Sequence, residues 1–115
     1  MSFRVRRVPA ILAAFAVAVL LGGQRPVEPD EKVLQDQGRA LVIKNCARCH
    51  AVEARGASPR ADAPAFRLLG RRYPVESLEE ALGEGIISGH PDMPEFIFTG
   101  EDVAAIITYL KSIQE

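Results

Sequence analysis

Apolar positions recur at helical spacing over the first part of the folded chain. The residues that share one face at this spacing are Leu34, Gly38, Leu41, Val42 and Cys46. The periodicity predicts a helix that begins near Asp30 or Glu31, where acidic side chains favour a helix amino terminus, and that ends at Cys46. Such a helix presents one apolar face to a core and its charged residues to solvent.

The carboxyl-terminal stretch predicts a second helix with a clearer start. Thr99 is a candidate N-cap residue, with Glu101 and Asp102 in the first turn. The apolar stripe that follows consists of Val103, Ile106, Ile107, Leu110 and Ile113. The sequence therefore predicts a helix that starts after Thr99 and buries this stripe.

The middle of the chain predicts short helices joined by loops. Residues 53–65 contain glycine and prolines and almost no large apolar residue, which is typical of a loop. Residues 66–72 could form a short helix, and a better one follows Pro74. Because no alternating strand pattern occurs, the predicted class is all-α, with three to four short helices. Loops this long in so short a chain favour an apolar group at the centre of the fold.

The chain opens with a basic segment followed by an uncharged apolar run. Three arginines precede residues 8–23, which carry no charge. This pattern predicts a secretory signal peptide, and an uncleaved membrane anchor formed by residues 8–23 is the alternative. The predicted organisation is a leader at residues 1–23, a charged, proline-containing spacer at 24–30 and one domain at 31–115. The predicted location is periplasmic, with membrane attachment only if the leader is retained.

The net charge of the chain and its distribution indicate which classes of partner the chain is expected to bind. The whole chain has a net charge of −1, and without the leader it has 11 basic against 15 acidic residues. Residues 24–75 carry ten basic and six acidic residues, whereas residues 76–115 carry one basic and nine acidic residues. A domain with net negative charge is not expected to bind nucleic acid. The asymmetry instead favours oriented docking on a charged protein partner.

Candidate chemistry is concentrated in one short motif. Cys46, Cys49 and His50 form C-x-x-C-H, which contains both cysteines of the chain. In covalent haem attachment, the two thiols add to the two vinyl groups of the porphyrin and the histidine binds the iron as proximal ligand. A zinc site that also used His90 would lack the histidine spacing of a finger. A thioredoxin-like pair would need nearby strands, which the pattern does not predict. One covalent haem c is therefore the predicted cofactor.

A candidate for the distal iron ligand lies well downstream of the motif. Apart from the initiator, Met93 is the only methionine, and it lies in a polar turn between Pro91 and Pro94. A lone methionine is more often a core filler, but the flanking prolines can hold this thioether in one direction. The His/Met pairing of haem sites favours Met93, and His90 is the alternative distal ligand.

These features resemble those of the small class I c-type cytochromes. The resemblance lies in "CARCH", in the downstream "MPEF" and in the closing "DVAAIITYLKSI", and it covers about residues 31–113. It implies a cytochrome c-like fold wrapped around one covalent haem. It also implies that the first and last helices cross over a small residue, and Gly38 is in the matching position, opposite Ile106 and Tyr109.

The resemblance also bears on the surroundings of the iron and on docking. It implies that the Pro64 carbonyl accepts a hydrogen bond from the second ring nitrogen of His50, and a metal-bound imidazole needs such a partner. The mitochondrial members carry a lysine-rich docking ring. This chain departs from them because Asp92 and Glu95 lie beside Met93. The cationic docking mode is therefore not expected here.

The function implied by the resemblance is one-electron transfer, without catalysis by the protein itself. The expected partners are a redox protein that donates electrons and one that accepts them. The chain would act as a monomeric carrier or as a subunit of a dehydrogenase complex. Two other functions stay open: a haem-based ligand-binding or sensor module from which Met93 dissociates readily, and a haem-free CxxC thiol oxidoreductase.

Overall fold

The computed structural model describes residues 29–85 and 92–115. Within these ranges the chain forms three α-helices and two short 3₁₀ helices, without any β-strand. The elements are α1 (Glu31–Cys46), 3₁₀ helices at Phe66–Arg71 and Val75–Ser77, α2 (Leu78–Glu84) and α3 (Gly100–Ser112). The predicted all-α class is confirmed. The predicted leader, most of the spacer and His90 lie outside the described residues.

Side-chain caps define the starts of the two long helices. The Asp30 carboxylate accepts a hydrogen bond from Lys32 N at 2.8 Å, so α1 begins where the acidic residues predict. The Thr99 hydroxyl accepts a hydrogen bond from Asp102 N at 3.2 Å at the start of α3. Both caps satisfy a backbone N–H group that has no partner inside its helix.

The two long helices, α1 and α3, cross at Gly38. A Cβ atom built on Gly38 would lie 2.0 Å from the Ala105 carbonyl oxygen and 2.8 Å from the Tyr109 Cβ. Only a residue without a side chain allows this approach. The crossing over Gly38 that the family resemblance implies is therefore present in the structure.

The core is built around α3. Its buried residues are Val103, Ala105, Ile106, Ile107, Tyr109 and Leu110. From the predicted stripe, Ile113 is only partly buried, while Ala105 and Tyr109 add a second buried row that faces α1. Burial of each large apolar side chain is worth about 1.5–3 kcal/mol, so α3 contributes more to the core than any other single helix of the described residues.

The central segments are short and follow the prediction in outline. Residues 47–65 contain no helix or strand, and the predicted short helix at residues 66–72 is a 3₁₀ helix that ends at Arg71. The helix after Pro74 begins as a 3₁₀ turn and continues as α2, which buries Leu82. Within residues 29–85 and 92–115, no helix has the length and apolar composition needed to cross a membrane.

Candidate cofactor site

The C-x-x-C-H motif forms a tight turn at the carboxyl end of α1. Cys46 is the last residue of the helix, and its carbonyl oxygen accepts hydrogen bonds from Cys49 N at 3.1 Å and from His50 N at 3.0 Å. These two bonds fold the motif back on the helix end. Both cysteine side chains are partly buried, and they line the same cavity as the His50 side chain.

The imidazole of His50 has a fixed hydrogen-bond partner. Its Nδ1 lies 2.8 Å from the Pro64 carbonyl oxygen, the contact that the family resemblance implies. Because a carbonyl oxygen can only accept, Nδ1 carries the proton, and Nε2 keeps the lone pair that could bind a metal. The Phe66 ring lies against the imidazole, with ring centroids 4.8 Å apart. The orientation suits a proximal ligand, although that role stays a prediction.

The surroundings of Cys46 are those of a buried, weakly reactive thiol. Burial raises the pKa of Cys46 to about 11. Catalytic thiols in CxxC oxidoreductases have a lowered pKa, because the thiolate is the nucleophile. The surroundings of Cys46 therefore do not favour the thiol oxidoreductase alternative. Nor does any group of three or more His, Cys, Asp or Glu side chains form a metal-binding cluster in the part of the chain that the structure describes.

A cavity of about 620 Å³ lies between α1, α2, α3 and the loops. This volume is in the range of about 300–1,000 Å³ that is usual for small-molecule and cofactor sites. Its apolar and aromatic wall includes Val42, Ala63, Pro64, Phe66, Leu69, Leu78, Leu82, Pro94, Phe96, Phe98, Ile106 and Leu110. Cys46, Cys49, His50 and Met93 all contribute to the same wall. Two thiols and an imidazole around one apolar cavity are the groups that covalent haem attachment uses, and Met93 adds a thioether to the same wall, so the residues fit this cofactor.

Met93 is held on this wall by a segment without regular structure. The side chain is partly buried, whereas Pro94 and Glu95 are exposed. Phe96 and Phe98 also line the cavity, and their rings stack with centroids 5.8 Å apart. The segment therefore turns its thioether and its aromatic side chains towards the cavity.

A polar network holds the segment that follows His50 against the helix crossing. The Tyr109 hydroxyl lies 2.8 Å from the Val52 carbonyl oxygen and 3.1 Å from Glu53 Oε2. Arg39, on α1, forms an ion pair with the same Glu53 carboxylate. The hydrogen bond from Arg39 lowers the pKa of Glu53, while burial and Glu53 raise the pKa of Tyr109 to about 12. The network links α1 and α3 to the chain segment that follows His50.

Several lining residues were not predicted from the sequence. Phe66, Phe96 and Phe98 are the three phenylalanines outside the predicted leader, and all three line the cavity. The signal that could have marked them is a large aromatic side chain at positions outside the two long helices. Arg60, which also lines the cavity, had no comparable signal because its position depends on a partner 32 residues away.

Comparison with known proteins found a family model that matches the part of the chain that forms this cavity. A family model described as cytochrome C oxidase, cbb3-type, subunit III matches residues 34–110. The matched region extends from α1 to α3 and includes the C-x-x-C-H turn and Met93. Searches of curated proteins and of solved structures found no significant match.

Proposed function

The chain belongs to the cytochrome c oxidase, cbb3-type, subunit III family, whose cytochrome c domain binds haem c covalently, and we propose that it transfers single electrons through one haem c between two redox proteins. The attachment residues proposed are Cys46 and Cys49, and the axial ligands proposed are His50 and Met93. The family description names an oxidase subunit, so an electron-transfer subunit of a respiratory complex is the assembly we favour over a free carrier. The proposed location is outside the cytoplasm.

The observation that carries this proposal is the meeting of all four donor side chains at one apolar cavity. Cys46 and Cys49 are separated by one tight turn, and each thiol would form a thioether bond to one vinyl carbon. His50 has one ring nitrogen engaged with Pro64 O and the other available for iron. Met93 contributes a neutral, soft sulfur ligand from a separate loop.

The protein's contribution to electron transfer is positioning and exclusion of water. A haem held by these residues would supply the one-electron chemistry. Val42, Leu69 and Ile106 form part of an apolar wall that keeps water from the cavity and lowers the local dielectric constant. His50 and Met93 would both bind the iron as neutral ligands, and the surrounding apolar wall would hold them in place.

The decisive experiment replaces the proposed distal ligand in the matured holoprotein. Met93→Ala should remove the sulfur-to-iron charge-transfer band of the oxidised form and allow carbon monoxide to bind rapidly to the reduced form. Met93→His should keep the site closed but lower the reduction potential, because imidazole stabilises ferric iron more than a thioether does. His90→Ala is the matched control and should change neither property.

Two results would change the assignment. A wild-type protein without the charge-transfer band, whose spectrum changes only in His90→Ala, would make His90 the distal ligand. Rapid carbon monoxide binding by the reduced wild-type protein would favour the ligand-binding or sensor module. Co-purification from native membranes would distinguish a complex subunit from a free carrier.

A further inference from the structure

Arg60 lies on the cavity wall but belongs neither to the C-x-x-C-H motif nor to residues 92–99, the segment that carries Met93. Its backbone N–H donates a hydrogen bond to the Cys49 carbonyl oxygen at 3.1 Å. Its own carbonyl oxygen accepts a hydrogen bond from Ala63 N at 3.1 Å, one residue before Pro64. The backbone of Arg60 is therefore fixed to the proximal side of the cavity.

The Arg60 side chain crosses from this fixed backbone to the loop that carries Met93. Its Nη1 donates to Asp92 Oδ2 at 2.9 Å, and its Nε donates to Asp62 Oδ1 at 2.7 Å. Asp62 lies on the same loop as Arg60, whereas Asp92 directly precedes Met93. A guanidinium can serve two carboxylates at once because its donors point in fixed directions, which a lysine ammonium cannot reproduce.

Met93 consequently lies between two attachments to the rest of the domain. On one side is the Arg60–Asp92 ion pair, and on the other the Phe98 N–H donates to the Leu82 carbonyl oxygen at 3.0 Å. The first attachment is one residue from Met93 and the second is five residues away. The ion pair therefore has the more direct influence on where the thioether lies.

We propose that Arg60 is a positioning residue for the distal ligand, holding Met93 at the cavity through Asp92. This inference rests on the proposed function, because it requires Met93 to bind the iron. The pair is partly open to solvent, with side-chain exposures of 36% for Arg60 and 62% for Asp92. Salt screens exposed ion pairs, so high ionic strength weakens this attachment and favours dissociation of Met93.

The test measures carbon monoxide association with the reduced holoprotein, together with the sulfur-to-iron charge-transfer band of the oxidised form. Arg60→Gln and Asp92→Asn should each raise the association rate by about 1.5- to 5-fold, the range expected for loss of an exposed ion pair. The double variant should show no more than the larger single effect, because both changes remove the same contact. High salt should move the wild type towards the variants and leave the variants nearly unchanged.

Arg71→Gln is the matched control, since it breaks an exposed pair with Glu115, and neither residue lines the cavity. It should leave both readouts unchanged. Asp92→Asn changes a single exposed carboxylate and provides the test if Arg60→Gln does not mature.

Three results would overturn the positioning role alone, provided that Met93→Ala abolishes the charge-transfer band. They are unchanged readouts in Arg60→Gln and Asp92→Asn, effects that multiply in the double variant, and an equal effect of Arg71→Gln. A wild-type band that is absent, or unaffected by Met93→Ala, would overturn the proposed ligation as well. The two kinds of failure are thus distinguishable.

Discussion

Replacement of Gly38 by alanine tests the helix crossing on which the cavity depends. The added Cβ would lie 2.0 Å from the Ala105 carbonyl oxygen, whereas ordinary contacts begin near 3.4 Å. The oxygen belongs to the α3 backbone and cannot rotate away. The two helices would therefore have to separate locally by about 1.4 Å, the difference between these distances. Such a shift weakens the packing of Val42 against α3.

The expected loss of stability is the balance of two terms. Forcing a methyl group into a tightly packed site costs about 3 kcal/mol, the upper part of the usual range, because backbone opposes backbone. Alanine regains about 1 kcal/mol over glycine through its greater helix propensity. The free energy of unfolding should thus fall by about 2 kcal/mol. For a domain of this size the corresponding decrease in melting temperature is roughly 8–16 °C.

Thermal unfolding of the holoprotein, followed by far-ultraviolet circular dichroism, measures this effect. Gly83→Ala is the matched control, because Gly83 lies in α2 and an added Cβ would meet nothing within 4 Å. The control should be neutral or raise the melting temperature by a few degrees through helix propensity alone. If Gly38→Ala also leaves the melting temperature unchanged or raises it, the close approach of α1 and α3 is wrong.

Two further predictions concern the cofactor and the buried tyrosine. Replacement of Cys46 and Cys49 by alanine should leave a largely unfolded chain, because the cavity walls lose the apolar group between them, and a cooperative melt at the holoprotein temperature would contradict this. Tyr109 has a pKa raised from its ordinary value near 10 to about 12. Its stabilising contribution is therefore complete below pH 10 and lost as the pH rises towards 12. In urea titrations between pH 10 and pH 12, the free energy of unfolding should decrease less steeply with pH in Tyr109→Phe than in the wild type. An equally steep decrease in the variant would contradict the raised pKa of the buried phenol.

The helices could be predicted because their signals are local. The acidic start of α1, the Thr99 cap and the apolar stripe of α3 are each contained within a few turns of one helix. The 3₁₀ geometry at residues 66–71 could not be predicted, since it depends on packing against the rest of the fold. The burial of Ala105 is also non-local, because it follows from the glycine on the opposing helix.

The residues of the candidate site also divide into those with a local sequence signal and those that only the fold brings together. Cys46, Cys49 and His50 are adjacent in sequence and carry a recognisable spacing, so the motif alone predicts them as a unit. Pro64 came only from the family resemblance, and its contact with His50 Nδ1 depends on the length of the intervening loop. The Arg60–Asp92 pair joins residues that no sequence pattern connects, so it can be identified only from the folded structure.

The crossing of α1 and α3 joins the first and the last element of the domain. The C-x-x-C-H motif is complete at His50, whereas α3, which packs on α1, begins only at Gly100, after the other helices of the described residues. Ile106 and Leu110 of α3 line the same cavity as Val42 of α1. The cavity wall is therefore complete only when the two ends of the domain meet, and a cut that removes α3 would open the cofactor cavity.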